Sequence, residues 1–155
     1  MVEYLLLKFV HVLGAVVLLG TGTGIAFFLL IAHRTAEPAF IARTARVVVM
    51  ADAIFTAIAV ILQPITGYLL VVATGRSFAE PWILASLALY IGAGVFWLPV
   101  VWIQMKLRDL ATLAAENSTT LPIAYHRYFR IWFVLGIPGF GFTITILWLM
   151  IAKPF

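Results

Sequence analysis

Cysteine is absent from the 155-residue chain, which excludes disulfides, thiolate metal sites and thiol catalysis. Charge is scarce too: Asp, Glu, Lys and Arg make up 10% of the residues, and six residues are acidic. No paired carboxylates, Ser-His-Asp set, HExxH, P-loop or GxGxxG occurs, so soluble-type hydrolases and nucleotide enzymes have no support. Nor is there a basic groove interleaved with aromatics, and nucleic acid is not expected as a partner. Repeats and low-complexity tracts are missing. No targeting peptide is evident: the first apolar run is too long for a cleaved secretory signal, and three more follow it.

What is there is apolar. Hydrophobic residues make up 65% of the chain and the mean hydropathy is +1.13, more apolar surface than a soluble domain of this size can hide. Four segments, about residues 4–32, 47–73, 81–105 and 130–152, reach the ~20 residues that cross a ~30 Å hydrocarbon core. The expected fold is an all-α integral membrane protein: one domain over residues 1–155, a four-transmembrane-helix antiparallel bundle with left-handed packing. The link "HRTAEPAFIARTAR" reads as a short connector broken by Pro38, with an interfacial turn around Phe40 and Ile41. "TGRSFAEP" is tight, and Pro81 suits the first turn of the third span. "KLRDLATLAAENSTTLPIAYHR" extends the third helix to about Ala115 before "ENSTTLP" ends it, and Pro138 predicts a kink in the fourth span.

Basic residues orient the chain. Lys8, Arg76 and Lys153 lie on the side of the two termini, against Arg34, Arg43, Arg46, Lys106, Arg108, Arg127 and Arg130 on the other. The positive-inside rule puts loops 33–46 and 106–129 in the cytoplasm and both termini outside a bacterial-type inner membrane. The formal net charge of +4 suits anionic lipid headgroups. Trp82, Trp148 and Tyr68 fall near one boundary and Trp102, Tyr125, Tyr128 and Trp132 near the other, as an aromatic belt requires.

His11 stands inside the first span. Its helical face also holds Gly14, Ala15, Leu18 and Gly22, a strip of mostly small residues. One reading is a haem lying against that strip with the imidazole on iron, or another metal held by His11. The other is a hydrogen bond from His11 to a neighbouring helix, with Gly14, Gly20, Gly22 and Gly24 serving close helix approach. His33 and His126 fall in loops, solvated or facing headgroups.

The second span carries a stripe of Asp52, Thr56, Gln63 and Thr66. An intramembrane carboxylate faces a bundle interior and takes a partner. Arg46, a turn and a half away, makes Asp52 half of a structural ion pair; the alternative is a proton or ion relay. Gln63, beside Pro64, can hydrogen-bond a ligand or another helix. Span three places Ser86, Tyr90, Trp97 and Gln104 on one face, and a site around His11 would be lined by Gln63 or Tyr68, Ser86 and Tyr90, with Met150 more a packing residue than an iron ligand. Copper held by His11 and methionine is a third reading, although Met1, Met50, Met105 and Met150 form no cluster in sequence. Glycine-rich faces also make a homodimer a natural expectation.

"LLLKFVHVLGAVVLLG", "ILQPITGYLL", "LYIGAGVFWLPVVWIQMKLRDL", "YHRYFRIWFVLGIPGFGF" and "WLMIAKPF" together resemble the predicted integral-membrane family known as a domain of unknown function, number 2269. That resemblance implies the fold and names no reaction. Phe9, His11 and Gly14, then Thr66 and Gly67, then Lys153 to Phe155 are more distantly similar to the HemJ type of protoporphyrinogen IX oxidase. This likeness implies haem b at His11 and electron transfer or tetrapyrrole oxidation. The lysine that family carries at the start of its third span is missing, with Ser86 at about the matching place, so any iron needs another partner or stays five-coordinate. First-helix histidines are similar in copper-resistance membrane proteins of the CopD type. The rival function is a non-enzymatic transporter, channel-like or accessory subunit built on the Asp52 stripe.

Overall fold

Four helices account for nearly all of the structure, a computed structural model that describes residues 2–154. Met1 and Phe155, the latter closing the Lys-Pro-aromatic end, lie outside the described residues. The first helix is Val2–Thr35, the second Pro38–Ala73, the third Pro81–Glu116 and the fourth Ile123–Ala152, each long and apolar enough to cross a membrane. At 1.5 Å per residue the shortest is about 45 Å long, so the helices outrun a ~30 Å core and their ends project from it.

Helix starts follow from proline. Pro38 and Pro81 occupy the first turns of their helices behind Glu37 and Glu80, and Pro122 caps the fourth. At such positions the missing N–H costs no bond. The segment expected as a connector is therefore reduced to Ala36 and Glu37, and Pro38 begins a helix rather than breaking one. Residues 38–51 are amphipathic and bury Ile41, Ala42, Ala45 and Val48, which replaces the interfacial turn expected at Phe40 and Ile41. The third helix does run past the hydrocarbon, to Glu116. The fourth begins seven residues before the expected Arg130, at Ile123, because Tyr125, Phe129 and Trp132 recur at helical spacing and are all buried. Tyr125 and Trp132 thus belong to the core and not to a lipid-facing belt.

Packing is uneven along the bundle. At the end carrying the seven basic residues, Leu29, Ile41, Leu107 and Tyr125 are fully buried in one cluster drawn from all four helices. The termini end holds a small cluster of Val71, Trp82 and Ile83 with Met150 packed against it, so Met150 is a packing residue. Large apolar side chains cover the rest of the surface, Phe9 at 62% and Ile91 at 68% exposed among them. Such a surface belongs in lipid.

The second helix changes partner midway. Residues 38–51 pack on the third and first helices, whereas residues 57–73 pack mainly on the first. Between them, Asp52–Thr56 form a π turn, in which the Ala57 N–H donates to the Asp52 carbonyl five residues back. The extra residue rotates everything beyond it by about 100°.

A polar clasp closes the termini end. Glu80 accepts hydrogen bonds from the Trp82 indole at 2.7 Å and from Arg76 at 2.8 Å, and Lys153 and Arg76 lie 5.5 and 5.8 Å from the Trp82 ring centre. The indole bond first, and then Arg76, hold the Glu80 carboxyl below the usual carboxylate range. A depressed folded-state pKa contributes stability fully above the unfolded value and loses it as pH falls through the folded one. Thermal stability of the detergent-solubilised protein is accordingly expected to drop by a small step between about pH 5 and pH 3. Glu80→Gln should flatten that step, and a step of unchanged size in the variant would contradict the clasp.

Candidate functional site

His11 and Gln63 face each other across the first and second helices, and each lies over a glycine of the opposite one. The His11 Nδ1 is 2.8 Å from the Thr66 hydroxyl, while the Gln63 Nε2 donates to the His11 carbonyl at 2.8 Å. A Cβ on Gly67 would stand 3.3 Å from the His11 Cε1, and one on Gly14 would collide with the Gln63 Nε2. The two glycines are thus the recesses that let two polar side chains lie between closely packed helices.

The tautomer follows from the single proton of Thr66. Its hydroxyl is 2.7 Å from the Leu62 carbonyl, and a carbonyl can only accept, so the Thr66 proton points there. His11 must then donate through Nδ1–H, leaving Nε2 as a bare lone pair with no hydrogen-bond partner among the described residues. This tautomer is assigned from the network. An imidazole oriented through one nitrogen, with the other free, is the arrangement a metal ligand requires.

The structure redraws the strip expected beside His11. Gly14 is filled by Gln63 and offers no platform. Gly22 does face open space, with nothing within 4 Å of an added Cβ, and the same holds for Gly20. The Gly20-x-x-x-Gly24 pattern therefore marks no contact between helices among the described residues; close approach falls at Gly14, Gly67, Gly92 and Gly139 instead.

Ser86 and Tyr90 are engaged elsewhere. Ser86 is buried and donates to the Trp82 carbonyl of its own helix at 2.7 Å. Tyr90 donates to the Val60 carbonyl, and the reason lies four residues on. Pro64 has no N–H, so the carbonyl of Val60 loses its helical partner. In hydrocarbon that carbonyl must be satisfied by a neighbour, and the Tyr90 hydroxyl does so from the third helix. Tyr68, 57% exposed, stacks on Phe78 away from His11.

The expected stripe on the second helix splits at the π turn. Gln63 and Thr66 serve the first helix, whereas Asp52 and Thr56 turn into the bundle toward Trp97 and Gln104 of the third. Asp52 is 4% and Gln104 2% exposed. Thr56, Trp97 and Gln104 surround the carboxylate, yet Thr56 Oγ1, Trp97 Nε1 and Gln104 Oε1 have no hydrogen bond of good geometry among the described residues. The expected pairing of Asp52 with Arg46 does not form: the ion pairs among the described residues are Arg76–Glu80 and Arg108–Asp109. Six residues make one and two-thirds turns, which leaves exposed Arg46 about 120° around the helix from buried Asp52.

His33 and His126 stand on helices, not in loops. The His33 ring stacks on Phe129 with centroids 3.6 Å apart and lies 5.9 Å from the His126 ring.

Four helices, each long and apolar enough to cross a membrane and tied to one another by the bonds of His11, Gln63 and Tyr90, define a multi-pass integral membrane protein. The chain belongs to the family described as a predicted integral membrane protein, DUF2269, which it matches over residues 5–154. No curated protein and no solved structure matches it.

The Pro64–Tyr90 pairing is open to a double-mutant cycle. Tyr90→Phe alone should destabilise the bundle by about 1–2 kcal/mol through the unpaired Val60 carbonyl. In a Pro64→Ala background, where Ala supplies the helical N–H, the same change should cost less than about 0.5 kcal/mol. Equal costs in both backgrounds, measured by denaturation in mixed micelles, would refute the assignment.

Proposed function

We propose that this DUF2269 member binds haem b in a bacterial-type inner membrane, with the Nε2 of His11 as the atom that would hold it, the basic end in the cytoplasm and both termini outside. The observation that carries this reading is the 2.8 Å contact of His11 Nδ1 with a Thr66 hydroxyl that itself donates to the Leu62 carbonyl, an arrangement that assigns the ring proton to Nδ1 and leaves Nε2 unprotonated. Among the described residues no group of three His, Asp or Glu could hold a bare metal ion, and a lone imidazole suits a cofactor that brings four nitrogens of its own. The distant likeness to the HemJ type, which rests on the residues around His11 and Thr66, points the same way.

The fit lies in the donor and its support. Thr66 fixes the ring, Gly67 gives it room and Gln63 braces the His11 backbone. Gly14, Ser86 and Tyr90 take no part, since each is filled or bonded elsewhere. Haem, when bound, supplies a one-electron couple, suited to electron transfer or tetrapyrrole oxidation.

The test is the visible spectrum of the purified protein, oxidised and reduced, with a haemochrome assay for haem per chain. A stoichiometric b-type spectrum is expected, lost in His11→Ala while the protein still inserts. Thr66→Val should weaken haem affinity by about tenfold or more. A featureless spectrum, also after addition of haemin, would sink the reading.

Asp52 supports a second reading, a transporter or accessory subunit that moves protons or cations. A carboxylate 4% exposed, ringed by three polar groups and in no ion pair among the described residues, can take up a proton or small cation from within the bundle. Asp52→Asn should then abolish proton or cation flux in proteoliposomes. Unchanged flux would remove the relay.

A further inference from the structure

At the basic end, a cleft of about 270 Å³ between the first and fourth helices is lined by His33, His126, Phe129, Arg130 and Phe133. Below it, a second hollow of about 280 Å³ is lined by apolar side chains, Phe27, Leu30 and Phe140 among them, with Ala26 and Thr23 on its floor. Phe133 belongs to both, so the two are consecutive stretches of one groove.

The groove changes character along its length. Its upper part presents a guanidinium and two imidazoles with no carboxylate among its lining residues. The His33 ring is fixed there by its stack on Phe129 and by its Nδ1 lying 3.4 Å from the Tyr125 hydroxyl. Arg130 follows His126 by one helical turn, so both side chains share a face. The lower part has almost no polar surface, Thr23 apart, and Thr23 turns its hydroxyl back to the Leu19 carbonyl of its own helix.

We propose that this groove holds one anionic phospholipid of the leaflet on the basic side. The headgroup phosphate sits among Arg130, His126 and His33, and an acyl chain runs down the trough past Phe133, Leu30 and Ala26. Length and charge both select this occupant. On the first helix the wall from His33 to Thr23 spans ten residues, about 15 Å, the depth of one leaflet of a ~30 Å core. The polar mouth lies on the side with seven of the ten Lys and Arg residues, where a phosphate meets favourable charge at the surface. A soluble anion would use the mouth and leave the trough without purpose.

Native mass spectrometry of the detergent-solubilised chain, titrated with phosphatidylglycerol or phosphatidylcholine of the same acyl chains, tests the site. One phosphatidylglycerol per chain should survive detergent removal, with phosphatidylcholine held at least about fivefold more weakly. Arg130→Gln and His126→Gln, both at exposed positions, should each weaken phosphatidylglycerol about fivefold. Ala26→Trp, which fills the trough, should displace the lipid while leaving helix content and melting unchanged. Arg127→Gln, a basic residue outside the groove, should have no effect. Equal retention of both lipids, or equal loss in Arg127→Gln, would overturn the proposal. So would displacement by inorganic phosphate together with full binding in Ala26→Trp, since that pattern marks a free-phosphate site.

Discussion

A polar side chain in hydrocarbon has to find its partner inside the protein, and the first two helices meet that demand by exchange. His11 lies over Gly67 and Gln63 over Gly14. The glycines bring the helices close; the hydrogen bonds to Thr66 and to the His11 carbonyl fix their register. Everything proposed for His11 depends on this exchange, because the same bond that locks the ring in place decides which nitrogen remains free. Transmembrane hydrogen bonds of this kind contribute only about 0.6 kcal/mol each on average. Their larger effect is to select one register over its neighbours.

Elsewhere the bundle is held by different means at different depths. The basic end is close-packed, with side chains of all four helices in one cluster. Further along, the helices are tied by single contacts such as Tyr90 on the carbonyl that Pro64 leaves free. The polar groups of the second helix follow its change of neighbour: Asp52 lies in the π turn where the exchange occurs, and Gln63 and Thr66, which meet His11, lie beyond it.

Much of the fold was legible in the sequence, because four runs of apolar residues admit few arrangements. The starts of the second and fourth helices were not: "EPAFIARTAR" looks polar until Ile41, Ala42 and Ala45 are seen to share a buried face. The site was legible residue by residue but not as an assembly. His11, Gly14, Gln63, Thr66, Tyr90, Trp97 and Gln104 all stood out, yet helical spacing gives the face of one helix and says nothing of which neighbour that face meets. The π turn at Asp52–Thr56 then defeated spacing itself, splitting one expected stripe into two. Gly67 was visible as half of a Thr-Gly pair, but its purpose appears only when the His11 ring is found against it. The role of Tyr90 could have been anticipated from Pro64, since a proline in a membrane helix always frees the carbonyl four residues back.

The central claim, that His11 is a neutral imidazole protonated on Nδ1 with Nε2 open to iron, is tested most directly by nitrogen NMR. The sample is ¹⁵N-histidine-labelled protein in micelles, with His11 assigned by its loss in His11→Asn. The account predicts a protonated Nδ1 and a bare Nε2 without haemin, with the His11 ring nitrogens, and not those of His33 or His126, shifted strongly or broadened when haemin is added. A proton on Nε2, or an Nε2 signal indifferent to haemin, would contradict it.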